Sequence, residues 1–156
     1  MKALTLFKSV FDNKTHKRVD FKDDASFEKL FIDLSALPRK DKKSASLISP
    51  AVYEPDTTRS NASVICWAGW CAVDVDEHIF DGDLEKELLD NYGQWNHIVY
   101  STASSTKEHP KFRIVFPLSE DVPKDKIKHF WFALNKELGD IGDPQTKDLS
   151  RMYYIP

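Results

Sequence analysis

The 156-residue chain lacks the marks of several special classes of protein. It has only two cysteines, Cys66 and Cys71, and their spacing fits neither a CxxC metal pair nor a disulfide framework. Buried thiols in a reducing cytosol are therefore expected. No apolar run approaches the length of a membrane span, and the apolar start of the chain meets Lys8 too soon for a signal peptide. These absences predict a cytoplasmic protein with no membrane partner.

The chain also lacks the strong positive charge that marks many nucleic-acid-binding proteins, since its net charge is −3. The charge is unevenly distributed, with eight acidic residues and one basic residue between positions 74 and 90. A compact basic run follows the first predicted helix and comprises Arg39, Lys40, Lys42 and Lys43. Such a run is usually a solvated loop, and contact with the phosphates of a template strand is the alternative.

The hydrophobic pattern predicts an α+β fold with one domain. Strands are expected over 2–8, 47–53, 96–101, 111–117 and 152–155, and the stretch 63–76 is expected to be one long strand or a hairpin. Helices are expected from a cap at Ser26 to just before Pro38, from Asp83 to Gly93, and from Pro123 to Gly139. The order shows no regular βαβ alternation, which favours a largely antiparallel or mixed sheet with helices on one face. The other face of such a sheet is expected to be open and to hold a site.

The central apolar run, 63–76, ends in two aspartates, Asp74 and Asp76. Side chains alternate along a strand, so these carboxylates share one face while Val73 and Val75 share the other. Two carboxylates at the end of a buried strand repel each other unless a cation lies between them. Oxygen ligands favour Mg²⁺ or Mn²⁺ over zinc. The spacing alone fits a metal site and a solvated acidic loop equally well.

Two later segments carry groups that suit phosphate oxygens. The first, 100–107, is rich in hydroxyl groups and leads to the cations Lys111 and Arg113. The second, 141–151, adds another carboxylate and Arg151 beside the last predicted strand. Taken singly, each has an ordinary explanation as a loop, a surface ion pair or a turn.

Taken together and in order, these motifs resemble the archaeo-eukaryotic primase superfamily. The closest resemblance is to small primase-polymerase domains at the N-terminus of phage and plasmid replication proteins. It covers about residues 47–156, and its specificity comes from the ordered set, since Asp-x-Asp alone occurs by chance in many chains. The matching sequences are Val73-Asp74-Val75-Asp76, then Tyr100-Ser101-Thr102 with Phe112-Arg113, and finally Asp143 with Ser150-Arg151.

The resemblance implies a set of metal ligands. Asp74 and Asp76 match the first acidic motif, and Asp143 best matches the third-motif acid. Asp148 is the alternative third acid because it lies nearer the last strand. The resemblance also implies an RRM-like catalytic half over about 61–156, behind a small N-terminal αβ unit over about 1–60.

The resemblance further implies residues that contact the triphosphate or the template. Arg113 and Arg151 match the basic positions of the family. The middle motif of the family usually carries a histidine just after Ser-Thr, whereas this chain has Ala103 and Ser105 at the matching positions. The phosphate contacts are then expected from Ser101, Ser105, His109 and Lys111.

The implied activity is nucleotidyl transfer by a DNA primase or polymerase on a single-stranded DNA template, with nucleoside triphosphates as substrates and Mg²⁺ or Mn²⁺ as cofactor. This reaction needs mainly positioning and charge neutralisation, which three acids and a few cations supply. The implied context is phage or plasmid replication in a bacterial cell or a phage-infected host, within a longer replication protein and beside a fused or separate helicase. Two alternatives remain open, a non-catalytic replication-initiator module that binds nucleic acid and a metal-dependent nuclease.

Overall fold

The computed structural model describes residues 2–38, 40–77 and 82–156. The three α-helices are α1 (Asp24–Ser35), α2 (Leu84–Tyr92) and α3 (Ile127–Glu137). The strands are β1 (Lys2–Phe7), β2 (Arg18–Phe21), β3 (Leu47–Ser49), β4 (Ala51–Tyr53), β5 (Val64–Trp67), β6 (Trp70–Val75), β7 (Ile98–Ser101), β8 (Phe112–Pro117), β9 (Val122–Pro123) and β10 (Tyr153–Tyr154). The fold is α+β with antiparallel sheets, as the sequence predicts.

The strands form three sheets where the sequence suggested one. Their orders are β10-β3-β1-β2, β4-β5-β9 and β6-β8-β7. The stretch 63–76 is divided into β5 and β6, which belong to different sheets. Gly69 lies at the break with a φ of 75°, a conformation that glycine adopts without the steric strain of a side chain. Its carbonyl oxygen accepts hydrogen bonds from the buried Lys2 Nζ and from the Leu118 N–H.

The sheet β6-β8-β7 is covered on both faces. One face, which includes Val73 and Ile114, packs in the same apolar cluster as α2 and α3. On the other face, Trp70 and Ala72 pack with Phe27 and Phe31 of α1. The face that was expected to be open is therefore closed by α1 near Trp70, and the acidic end of β6 lies beyond that contact.

The N-terminal and C-terminal parts of the chain share a sheet. The last strand, β10, pairs with β3, with Tyr153 opposite Ile48 and Tyr154 opposite Leu47. This pairing brings the end of the chain beside the start of β3, next to the end of β6. None of the helices in the described ranges has the length and apolar character that crossing a bilayer requires.

Two local predictions change in detail. Helix α1 is capped by Asp23, whose side chain accepts from the Ser26 N–H. Ser26 is the third residue of the helix and completes this capping box. Helix α3 begins after a 3₁₀ turn at Lys124–Lys126, so Pro123 lies in β9 and precedes the helix. Cys71 is buried and Cys66 is partly exposed, and both are free thiols.

Candidate functional site

The register of one sheet builds the centre of the site. Asp74 of β6 lies opposite Arg113 of β8, and Arg113 lies opposite Tyr100 of β7. Directly paired residues in antiparallel strands project from the same face. An acid, a base and a phenol therefore stand in one row across the sheet.

Arg113 joins this row into a buried network. Its Nε donates to Asp74 Oδ1 at 2.5 Å, and its Nη1 donates to the Tyr100 hydroxyl at 2.9 Å and to the Tyr154 carbonyl oxygen at 2.8 Å. The guanidinium also lies 4.8 Å from the centroid of the Tyr153 ring. The side chains of Asp74 and Arg113 are each 8% exposed. Arg113 was expected to contact the triphosphate or the template. In the structure it forms a buried ion pair with Asp74.

Asp76, unlike Asp74, forms no salt bridge with a basic side chain in the described part of the chain. Burial raises its pKa, the carboxylates of Asp74 and Asp143 raise it further, and the cations Lys111 and Arg113 oppose the rise. Burial is the largest cause of this rise, and the carboxylates of Asp74 and Asp143 add repulsion to it. Because Arg113 neutralises Asp74, the unfavourable negative charge is concentrated on Asp76.

Asp143 is held beside β6 by its backbone. Its N–H donates to the Asp74 carbonyl oxygen at 2.7 Å, and the preceding residue, Gly142, donates to Asn135 Oδ1 at 2.8 Å. A Cβ on Gly142 would lie 2.5 Å from Val73 Cγ1, so glycine permits this close approach. The Asp143 carboxylate accepts from the Gln145 N–H at 3.0 Å, which caps a short 3₁₀ helix.

The alternative third acid, Asp148, faces another part of the molecule. Its Oδ1 accepts from Asn61 Nδ2 at 2.8 Å. Asn61 also accepts from the Ser150 N–H and hydroxyl, so the two bonds fasten the segment that leads to Arg151. Of the two candidate acids, Asp143 is the one that influences Asp76.

The predicted phosphate-binding loop between β7 and β8 is folded by its own side chains. Ser105 Oγ accepts from the Lys111 N–H at 2.9 Å, and the Thr106 hydroxyl accepts from the His109 N–H at 3.0 Å. His109 Nε2 lies 2.8 Å from the Asp76 carbonyl oxygen. His109 and Lys111 therefore stand beside Asp76, while the Ser105 hydroxyl is used to shape the loop.

A cavity of about 680 Å³ joins part of the predicted groups. This volume is within the usual range for small-molecule sites. Its polar wall includes the aspartate of β6 and the one just after it, the loop after β7, two arginines and two lysines of the basic run, namely Asp74, Asp76, Ser101, Thr102, Ser104, Arg113, Arg151, Lys40 and Lys42. Asp143, Ser105, His109 and Lys111 are described residues that do not line it. Its apolar wall is supplied by Leu6, Leu34, Leu37 and Ile155. Lys43 is not part of the wall, and Arg39 lies outside the described residues.

Arg151 is a partly exposed cation of this wall, whereas Lys40 and Lys42 are exposed. Its side chain is 32% exposed, its Nη2 lies 3.9 Å from Asp74 Oδ2, and its Nη1 donates weakly to Gln145 Oε1 at 3.3 Å. Its Nε is buried without a hydrogen-bond partner among the described residues. A buried donor without an acceptor is costly, and an oxygen of an anionic ligand would satisfy it.

The donor set fits a hard divalent cation. Asp74 keeps Oδ2 free of the short bond to Arg113, and the repulsion felt by Asp76 is what a cation would relieve. Within the described ranges, no group of three His, Cys, Asp or Glu side chains converges closely enough to hold a metal ion.

Sequence reasoning missed one part of this site, the role of Tyr100. Tyr100 enters the sequence analysis only as part of the Tyr-Ser-Thr motif, but its hydroxyl accepts from Arg113 and donates to the Tyr154 carbonyl oxygen at 3.0 Å. Lys40 and Lys42, expected to be a solvated loop or to contact template phosphates, line the same cavity as Asp76. The alternation of side chains along β8 predicts which face of the sheet Arg113 occupies. Its partners, Asp74 and Tyr100, depend on the register between strands, which cannot be predicted from the sequence.

The repulsion at Asp76 predicts a pH-dependent stability in the metal-free protein. Because burial and the nearby carboxylates raise the pKa of Asp76 in the fold, charging this carboxylate opposes folding. Its unfavourable contribution begins as the pH rises through the ordinary value of 3.8 and is complete above the folded pKa. We expect Asp76→Asn to raise the melting temperature at neutral pH. The difference from wild type should disappear below the ordinary pKa of 3.8, where Asp76 is protonated in both states. Thermal unfolding in EDTA across this range checks the prediction, and a lower melting temperature for Asp76→Asn at neutral pH would contradict it.

Comparison with known proteins adds no identification. No family model matches the chain, and neither the curated proteins nor the solved structures yield a match.

Proposed function

We propose that this protein is the catalytic domain of a metal-dependent DNA primase-polymerase, which transfers nucleotides on a single-stranded DNA template. The observation that carries the proposal is the single cavity that joins Asp74 and Asp76 to Arg151, Lys40, Lys42 and a hydroxyl-rich loop. Carboxylates and cations on one wall of a cavity suit a metal-bound triphosphate, in which positive and negative groups alternate. The ordered motifs of the sequence point to the same chemistry.

Each group of the cavity has a role in this proposal. Asp76, Asp74 and Asp143 would hold Mg²⁺ or Mn²⁺, which supplies charge neutralisation at the triphosphate and at the attacking 3′-hydroxyl. Arg113 holds the Asp74 carboxylate through Oδ1, and Asp74 Oδ2 lies 3.9 Å from Arg151 Nη2. Arg151, Lys40 and Lys42 would bind phosphate oxygens, and the apolar wall would exclude water from the reacting groups.

The biological context belongs to the same proposal. Nucleotidyl transfer on a single-stranded template fits phage or plasmid replication in the cytoplasm of a bacterial or phage-infected cell. A fused or separate helicase would expose the template strand. Both statements depend on the resemblance of the motifs.

A non-catalytic replication-initiator module is the second candidate. The observation that favours it is the buried ion pair between Asp74 and Arg113, which already satisfies one oxygen of a proposed metal ligand. The chain also has Ala103 where the family has its histidine. Such a module would bind single-stranded DNA with a strong dependence on salt and would add no nucleotide.

A primer-extension experiment separates the candidates. The wild-type protein is incubated with an end-labelled primer–template and Mn²⁺ or Mg²⁺, with nucleoside triphosphates present or absent. We expect extension that requires nucleotides and metal, and a loss of about 100-fold or more in Asp76→Asn, since the substitution removes charge that the transition state needs. Asp125→Asn, an exposed acid on the 3₁₀ turn before α3, is the matched control and should extend like wild type.

The other outcomes identify the rivals. Binding without extension in any metal would favour the initiator module. Cleavage of the primer without nucleotides would favour a nuclease that activates water with the same acids. Extension by Asp76→Asn at the wild-type rate would overturn the assignment of the site.

A further inference from the structure

A second surface lies outside the cavity, on the loop 8–17 that joins β1 to β2. This hairpin loop contains a tight turn in which the Asp12 N–H donates to the Ser9 carbonyl oxygen at 3.0 Å. The Asp12 carboxylate accepts from the Lys8 N–H at 2.9 Å and from the Lys14 N–H at 3.0 Å. Val10 and Phe11 therefore occupy the corner of a turn that is closed by polar bonds on both sides. The Phe11 ring is 76% exposed, the largest value among the exposed apolar side chains of the described residues.

The hairpin loop also carries exposed positive charge. Lys8, Lys14 and Lys17 are exposed, and none of them forms a salt bridge with an acid in the described part of the chain. The one acid between residues 8 and 17 is Asp12, and its oxygens are bonded to the backbone of the turn. A local excess of positive charge thus stands on a chain whose net charge is −3.

Hydrogen bonds hold the hairpin loop against the segment 57–59. The Arg59 N–H donates to the Asn13 carbonyl oxygen at 2.8 Å, and the Thr15 hydroxyl donates to the Thr57 carbonyl oxygen at 2.6 Å. Lys14 also forms a β-bridge with Thr58. Because these bonds fix the backbone before a ligand arrives, binding at Phe11 loses little further conformational entropy.

The hairpin loop starts at the end of β1 that borders the cavity. Leu6 lines the cavity, and its N–H donates to the Lys17 carbonyl oxygen at 2.8 Å. The strand that carries Leu6 ends one residue later, at Phe7. A strand bound along the hairpin loop would therefore reach the rim of the cavity without crossing the molecule.

We propose that the hairpin loop 8–17 binds single-stranded nucleic acid, with an unpaired base stacked on Phe11 and backbone phosphates on Lys8, Lys14 and Lys17. An exposed aromatic ring among cations is the combination that non-specific single-strand binding uses. An anionic membrane would also attract the lysines, but interfacial binding depends on the apolar area that enters the lipid, and here only Phe11 and Val10 are available. The function of the bound strand as a template rests on the proposed polymerase activity, whereas the binding itself does not.

Fluorescence anisotropy with labelled oligothymidine tests the hairpin loop. The measurement is made in EDTA and without nucleotides, so that it is independent of catalysis. We expect Phe11→Ala to weaken binding by about 5- to 100-fold, the range typical of a lost aromatic–base stack. Lys14→Gln/Lys17→Gln should weaken binding and reduce the salt slope by about 1.4, which is about 0.7 for each phosphate contact on a single strand. Phe132→Ala and Lys128→Gln, an exposed ring and an exposed lysine on α3, are the matched controls and should bind like wild type.

Two further arms make the result decisive. A DNA duplex of the same length has no unpaired base, so Phe11→Ala should leave its binding unchanged. Vesicles of anionic phospholipid should not compete with the oligonucleotide. The inference is overturned if Phe11→Ala binds oligothymidine like wild type, or if the vesicles displace oligothymidine from the wild-type protein. Suppose that Phe11→Ala loses binding and that the wild-type protein does not extend a primer. This result would support the binding site on the hairpin loop and would overturn only the proposed polymerase activity.

Discussion

Arg113→Ala is expected to lower the free energy of unfolding by about 3–5 kcal/mol, because it leaves the buried carboxylate of Asp74 without its counterion. The substitution also removes the donor to the Tyr154 carbonyl oxygen and to the Tyr100 hydroxyl. It thus removes the side-chain links from β8 to β6, β7 and β10, while the backbone pairing of β8 with β6 and β7 remains. Urea unfolding monitored by tryptophan fluorescence measures the loss.

The chain provides a matched control for this prediction. Arg18 and Asp20 form an Arg–Asp pair of 2.8 Å on the surface, where the side chains are 39% and 52% exposed. Arg18→Ala should therefore cost less than about 1 kcal/mol. The double variant Asp74→Ala/Arg113→Ala should cost less than the sum of its single substitutions, since it leaves no unpaired charge. An equal cost for Arg113→Ala and Arg18→Ala would show that the buried network does not stabilise the fold.

The elements of this fold were predictable where local physics decides them. The alternation over 111–117 assigned Arg113 and Val115 to one face and Ile114 to the other, and the apolar clusters divide these residues in the same way. The cap at Asp83 and the end of α2 at Gly93 were also predictable, since both follow from side-chain and backbone preferences within a few residues.

What could not be predicted is decided by distant parts of the chain. The stretch 63–76 fits one long strand or a hairpin, but the turn at Gly69 divides it between two sheets, and Lys2 and Leu118 donate hydrogen bonds to the Gly69 carbonyl oxygen. The last strand joins the N-terminal sheet, although its sequence carries no sign of its partner, β3. A strand of two residues has too few side chains to specify its register.

The candidate site shows the same division. Asp74 and Asp76 were predictable as a pair, since a period of two places them together. The different environments of the two carboxylates could not be predicted, because the ion pair of Asp74 depends on the register between β6 and β8. The choice between Asp143 and Asp148 likewise depends on one backbone contact, from the Asp143 N–H to the Asp74 carbonyl oxygen.

The central claim is that the cavity holds a nucleoside triphosphate through a divalent cation on its acids. Isothermal titration of a deoxynucleoside triphosphate into the protein, with and without Mn²⁺, tests it most directly. We expect binding that requires Mn²⁺, and a loss of about 100-fold in Asp76→Asn, which removes the charge that the cation compensates. Asp143→Asn should weaken binding in the same way because Asp143 lies beside Asp74. Asp148→Asn, the control acid, should bind like wild type because its carboxylate faces Asn61.

The comparison of wild type with Asp76→Asn is decisive. If the account is right, wild type binds the triphosphate only with Mn²⁺, and Asp76→Asn shows no Mn²⁺-dependent binding although its fold is at least as stable. Mn²⁺-dependent binding of equal strength in both proteins would contradict the account.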